Sequence, residues 1–155
     1  MPPREVYSSV EWPVIILLAS VIPLGAALES NGTTEIIVQI LTKYASSMEP
    51  WLIIAIIMII TMTLSDILNN TATTLVIAPI SIQLAQTLNL NTDTFLMAVA
   101  VSASCAFLTP IGHKNNTIIL GPGGYRFGDY WRMGLVLEVL IIITSIPLLL
   151  IFWPI

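Results

Sequence analysis

Two runs of hydrogen-bonding, helix-breaking residues interrupt an otherwise apolar chain, and they restrict the folds open to it. The first is Ser65-Asp66-Ile67-Leu68-Asn69-Asn70-Thr71, set between the apolar stretches 50–64 and 72–88. The second is Thr109-Pro110-Ile111-Gly112-His113-Lys114-Asn115-Asn116-Thr117, between 94–108 and 118–120. In a bilayer an unpaired backbone group costs several kcal/mol, so irregular backbone must be buried in protein or line a polar cavity. Interrupted apolar segments in carriers place half-helix ends against the solute near the midplane. The pattern points to part of a transporter.

Composition closes off the soluble alternatives. The chain is 56% hydrophobic and 9% charged, where ordinary soluble domains carry roughly 25% charge. Nothing formally charged lies between Asp66 and Asp93, or between Asp93 and Lys114. The net charge of −4 rests on few groups and does not point to nucleic acid. Cys105, the single cysteine, sits in an apolar stretch without metal-ligand spacing and reads as a small packed hydrophobe. No nucleophile–base arrangement or metal-ligand set is present, so the chain does not read as an enzyme. Near the N-terminus the apolar stretch 12–28 runs into Glu29 without a small-residue cleavage pattern, which predicts a retained span and not a signal peptide.

Five units follow along the chain, all helical, giving an all-α membrane fold. A span at 12–28 is bent by Pro23 and Gly25. The segment 33–47 begins with Thr33 or Thr34 as cap and Glu35 in its first turn. It places Ile36, Ile37, Ile40, Leu41 and Tyr44 on one face, as an interfacial amphipathic helix does. The stretch 50–88 is too long for one span. Its limbs 50–64 and 72–88 would reach about 22 and 25 Å as helices, against a core of about 30 Å. That predicts a re-entrant hairpin with its tip at Asn69-Asn70-Thr71, with two short spans as the rival. The stretch 94–120 is a span broken at 109–117, and small residues from Ala98 to Ala106 allow close helix approach. The last span, 134–154, has Trp131 and Trp153 as interfacial anchors and Glu138 one turn inside, where it is expected to reach the interface.

Flanking charge sets the orientation. With the re-entrant hairpin, Arg4, Arg126 and Arg132 fall on one side and Lys43 on the other. The positive-inside rule then puts the N-terminus inside and the C-terminus outside. A hairpin counted as one through-going span would place Arg4 opposite Arg126 and Arg132.

The order of an amphipathic arm, a hairpin with an Asn-Thr tip, a broken span and a final span resembles the C-terminal repeat of the divalent anion:sodium symporters. These belong to a wider ion-transporter group that includes citrate and arsenite carriers. In that family each of two inverted repeats bears a Ser-Asn-Thr tip and a Thr-Pro-Pro-Asn-like loop. Here Asn70 and Thr71 match the tip while Asn69 replaces the serine. In the loop Asn116 matches, while His113, Lys114 and Asn115 stand where Thr-Pro-Pro is usual. The flanking Thr109–His113 and Gly121–Phe127 resemble the branch that includes sulfate transporters and longer members with cytosolic ligand-sensing domains.

The resemblance implies a solute site at Asn69, Asn70, Thr71, His113 and Lys114. It also implies a sodium site at Ser65, Leu68, Asn70, Gly112 and Asn116, built from hydroxyl, amide and carbonyl oxygens. An uncompensated charge at midplane costs roughly 2.5–3.5 kcal/mol on insertion scales. Lys114 therefore contacts a bound anion, pairs with Asp66 or snorkels to the loop edge. Asp66, the one acid deep in apolar sequence, is a candidate proton or ion-pair site. His113 is either a titrating group or a neutral, hydrogen-bonded one. Each polar turn also has a plainer reading, in which Asn and Thr satisfy their own backbone.

Function then reads as sodium-coupled symport of a small dianion, sulfate or dicarboxylate. No organic cofactor is implied. A passive anion channel and a non-transporting truncated subunit are the alternatives. One repeat is present and no second hairpin with an Asn-Thr tip is visible, so the chain is expected to supply one half of a transporter. Its partner would be a second half or an antiparallel copy of itself. The expected location is a prokaryotic inner membrane.

Overall fold

The computed structural model describes residues 30–45 and 47–155, with positions 15, 16, 19, 20, 23, 26 and 27 upstream. Apart from those positions, the expected span at 12–28 lies outside the described residues. The elements are α1 (Thr33–Ala45), α2 (Pro50–Ile67), α3 (Asn70–Thr87), α4 (Thr92–Ala103), α5 (Lys114–Leu120) and α6 (Tyr130–Phe152). A 3-10 turn at Phe127–Asp129 leads into α6. No strand occurs among the described residues.

Local chemistry explains the hairpin α2–α3. Pro50 opens α2 in the first turn, where its missing N–H costs nothing. The helix ends at Leu68, whose extended backbone still donates its N–H to the Leu64 carbonyl at 2.8 Å. Asn69 then caps α3, its side-chain oxygen accepting from Ala72 N at 2.7 Å. Each limb has 18 residues, about 27 Å of helix. The limbs are longer than the sequence predicts because Ser65, Asp66 and Ile67 stay helical, as do Asn70 and Thr71. Both limbs therefore approach the thickness of the bilayer core. The level of the tip against the other helices, not limb length, bears on whether the hairpin re-enters.

Helix α4 lies against both limbs, and the shared core contains Ile54, Met58, Met62, Leu84, Phe95 and Ala98. Helix α1 packs on α3 and buries Thr34, Val38 and Ala45, while Ile36, Ile40 and Tyr44 face outward. At its far end α6 is tied to the start of α4. Thr94 Oγ1 donates to the Trp153 carbonyl at 2.7 Å, and Asn91 Nδ2 donates to the Pro154 carbonyl at 2.9 Å. Among the described residues two helical stretches are long and apolar enough to cross a membrane, Pro50–Ile67 and Phe127–Phe152. In α6 only Gly134, Glu138 and Leu149 are buried, and side chains such as Val136, Leu140, Ile143 and Ile151 look away from the chain.

The break differs from its predicted position. Helix α4 stops at Ala103 and not at 108, and α5 restarts at Lys114. The irregular segment is therefore 104–113, and Lys114, Asn115, Asn116 and Thr117 form the first turn of a helix instead of a loop. Helix α6 begins at Tyr130, four residues before Gly134, carrying Trp131 into its first turn.

Candidate functional site

An irregular segment between two helices exposes backbone groups that need partners, and here distant side chains provide them. Ser65 Oγ donates to the Ala103 carbonyl at 2.7 Å. The Asn70 amide is oriented by its neighbours. With its nitrogen turned inward it donates to the carbonyls of Ala103 and Gly112, both at 3.1 Å, and lies 2.9 Å from Ser65 Oγ. Asn116 Nδ2 bridges the carbonyls of Ala106 at 3.2 Å and Thr109 at 3.1 Å. Thr117 Oγ1 donates to the Pro110 carbonyl at 2.6 Å, and Tyr130 OH donates to the Asn116 carbonyl at 2.8 Å.

Two carboxyl groups hold consecutive amides of the same segment. Leu108 N donates to Asp66 Oδ1 at 3.0 Å, and Phe107 N donates to Glu138 Oε1 at 3.4 Å. Thr109 links back to the hairpin, its Oγ1 donating to the Asp66 carbonyl at 2.7 Å and accepting from Gly112 N at 3.1 Å. Asp66 is 3% exposed and Glu138 9%. Burial of Glu138 corrects the expectation that it reaches the interface. Gly134 makes this possible, because a Cβ there would collide with the Phe107 carbonyl oxygen and lie 2.6 Å from its carbon. With no side chain at 134, the break can press against α6, and Glu138 one turn later reaches Phe107.

Gly112 serves the same purpose on the hairpin side. A Cβ at this position would lie 2.8 Å from Ala106 Cβ and 3.1 Å from Asp66 Cα. The hairpin and the break thus meet backbone to backbone, as conformationally unencumbered glycine permits.

Three of the expected cation-site residues converge: Ser65, Asn70 and Gly112 surround one point together with Ala103, which sequence reasoning did not name. Asn116 shares the break, but its amide nitrogen is used on Ala106 and Thr109. Leu68 lies at the turn, 41% exposed. Among the expected solute residues, Asn70 and Thr71 lie half-buried at the tip, and the Asn69 oxygen is used in capping. His113 caps α5, with Nδ1 accepting from Asn115 N at 3.3 Å. Lys114 starts α5, but its side chain lies outside the described residues, and so do its expected contacts to an anion or to Asp66. Thr109 and Glu138, which the sequence reading placed in the break and at the interface, join Ala103 as contributors that it did not assign to the site. Glu138 alone left a signal, as an isolated acid within an apolar run.

The oxygens at the tip are hydroxyl, amide and carbonyl, and no group of His, Cys, Asp and Glu suited to a metal occurs among the described residues. A family profile described as "Citrate transporter" matches residues 1–155. The chain belongs to the citrate-transporter family. An uncharacterized transporter of Synechocystis sp. is 40% identical over 149 residues, covering 96% of this chain and 24% of that protein. Another uncharacterized transporter, YfbS of Escherichia coli, is 30% identical over 151 residues, covering 97% of this chain and 25% of that protein. The sodium-dependent dicarboxylate transporter SdcS of Staphylococcus saprophyticus is 27% identical over 142 residues, 92% of this chain and 27% of that protein. The chain thus spans about a quarter of the length of these relatives. Family and relatives are transporters, not enzymes.

A cavity of about 840 Å³ lies away from the tip, between α5 and α6, lined by Phe107, Asn116, Ile119, Tyr130 and Leu137 among others. Its wall is mostly apolar, with Asp129 and Arg132 at the start of α6 as its charged groups.

Proposed function

We propose that this chain is the hairpin-and-break module of a carrier that moves a small dianion, sulfate or a dicarboxylate, together with sodium. The observation that carries this reading is the convergence of Ser65 Oγ, the Asn70 amide and the carbonyls of Ala103 and Gly112 on one point. There the Asn70 amide nitrogen sits among oxygens, where a cation would sit. Rotating that amide turns its oxygen inward, and the same four groups become a ring of hard oxygens for sodium. The Leu68 carbonyl would add a further backbone oxygen at the edge of this site, and Asn116 would act indirectly by holding the Ala106 and Thr109 carbonyls of the break.

The solute would lie at the tip against Asn69, Asn70 and Thr71, facing His113 and Lys114 across the break. The first N–H groups of α3 add the positive end of an 18-residue helix. The similarity to a sodium-dependent dicarboxylate transporter supports both the ion and the class of solute.

The re-entrant reading of the hairpin is supported by its register on the last helix. Glu138, which meets the Asp66 level of α2, lies about 12 Å along α6 from Tyr130 and about 21 Å from Phe152. The tip lies about 4–5 Å beyond Asp66, so it stops roughly 7–8 Å short of the Tyr130 end of α6. With the arginines on the inner face, the N-terminus lies inside an inner membrane and the C-terminus outside. A second half, or an antiparallel copy, completes the carrier.

The test is uptake of labelled sulfate and succinate into proteoliposomes containing the full-length transporter, with and without a sodium gradient. Accumulation against the solute gradient is expected only with sodium. Asn70→Ala is expected to weaken sodium activation and uptake together. Equilibration without accumulation would leave a channel, and no solute binding would leave a non-transporting subunit. Sodium activation unchanged in Asn70→Ala would remove the cation site from this position.

A further inference from the structure

We infer that Glu138 is a positioning residue: it holds the break at the height where the Ala103 and Gly112 carbonyls meet the hairpin tip. The inference rests on the transport reading for its main readout. Its physical basis is that two acids from elements far apart in sequence hold adjacent amides. Asp66 on α2 takes Leu108 N, and Glu138 on α6 takes Phe107 N. The only covalent connection needed between these anchor points is one peptide unit, so Asp66 and Glu138 act as the two jaws of one clamp. The segment they hold runs from the Ala103 carbonyl to the Gly112 carbonyl, the two backbone oxygens of the proposed cation site.

The jaws also sit side by side. Leu108 N and Phe107 N are consecutive amides, so the Asp66 and Glu138 carboxyls that accept from them are neighbours. Asp66 Oδ2 is buried and has no donor from any other described group. A carboxylate is only an acceptor, so a bond between two carboxyls requires one shared proton. With that proton, Glu138 donates to Asp66 Oδ2, and the buried unpartnered oxygen of Asp66 is satisfied. Without it, two negative charges would face each other away from water. Cys105 is a further titratable side chain near Glu138. Gly134 completes the design, since any side chain there would push the Phe107 carbonyl off α6.

A glutamine at 138 has the same shape, keeps an acceptor for Phe107 N and carries a permanent donor for Asp66 Oδ2. It therefore separates the clamp from any requirement for the acid itself. The experiment compares Glu138→Gln and Glu138→Ala in the full-length transporter, in proteoliposomes and in purified form. Glu138→Gln is expected to keep the sodium concentration for half-maximal uptake within about twofold of the parent. Glu138→Ala is expected to raise it about tenfold or more, as loss of an outer partner does at metal sites. A merely structural role would lower the amount of folded protein and leave that concentration unchanged in the surviving fraction, which would overturn the inference. So would a Glu138→Gln variant as impaired as Glu138→Ala.

Infrared difference spectra give a second readout that does not depend on transport. The parent protein is expected to show the carbonyl band of a protonated carboxyl that disappears in Glu138→Gln. Absence of that band in the folded parent would overturn the shared proton and the clamp with it. If the parent showed no sodium dependence while the band behaved as expected, the coupling reading would fall and the clamp would stand.

Discussion

Replacing Gly112 by alanine tests the backbone-to-backbone contact that joins the hairpin to the break. The added methyl would sit 2.8 Å from Ala106 Cβ, 3.1 Å from Asp66 Cα and 3.2 Å from Asp66 Oδ1. Comfortable carbon–carbon separation is about 3.5–4.0 Å, so the two backbones must part by roughly 0.5–1 Å. Neither can move freely. Asp66 is held by Leu108 N at 3.0 Å and by Thr109 Oγ1 at 2.7 Å, while Ala106 is held by Asn116 at 3.2 Å. Overpacking of this kind costs typically 1–3 kcal/mol, and the upper half of that range applies because no flexible side chain can absorb the shift. For a chain of 155 residues this corresponds to a fall in melting temperature of roughly 4–12 °C. The assay is thermal unfolding in detergent, followed by sodium-dependent uptake in proteoliposomes. Gly121→Ala is the control, since a Cβ at 121 meets nothing within 4 Å. Equal melting temperatures for the two variants would refute the close contact. A stable Gly112→Ala protein with unaltered sodium activation would refute the role of that contact in holding the cation site.

Three further outcomes are expected. Asn69→Ser should leave stability unchanged within a few tenths of a kcal/mol and Asn69→Ala should cost about 1 kcal/mol, because Ser and Asn cap equally well and alanine does not; thermal unfolding checks both. Lys114→Gln should raise the apparent Kd for sulfate or succinate about five- to thirty-fold more than for a monoanion, the 1–2 kcal/mol of a charge-assisted hydrogen bond. Equal losses for both solutes would assign Lys114 to structure. Ser47→Cys and Thr87→Cys, both exposed at the ends of the hairpin, should label with an impermeant thiol reagent from the same face of the membrane. Labelling from opposite faces would end the re-entrant reading.

Physics that acts over a few residues was legible in the sequence. The apolar runs gave the helices, Pro50 marked where the first hairpin limb begins, and the polar runs marked the two interruptions. The Asn70-Thr71 tip and its distance from Asn116 were enough to indicate the family, which the profile match over residues 1–155 establishes. The exchange of the usual tip serine for Asn69 is explained by its structure, since either residue accepts the capping bond from Ala72 N.

The tertiary structure decided where α4 ends and which groups surround the tip. Residues 104–108 contain no proline, glycine or charge, and nothing local stops a helix before Thr109. The helix stops at Ala103 because its freed backbone groups find better-placed partners on other elements. Those partners lie far away in sequence: Ser65 is 38 residues from Ala103, Asp66 is 42 from Leu108, and Glu138 is 31 from Phe107. No window short enough to carry helical periodicity can contain such pairs. For the same reason Glu138 read as an interfacial acid, since its own helix offers it no partner. Only folding brings the break against Gly134, and with it the Phe107 amide and the carboxyl of Asp66. The sequence by itself determined which segments are helical and apolar; the burial of polar groups against distant backbone decided the shape of the site.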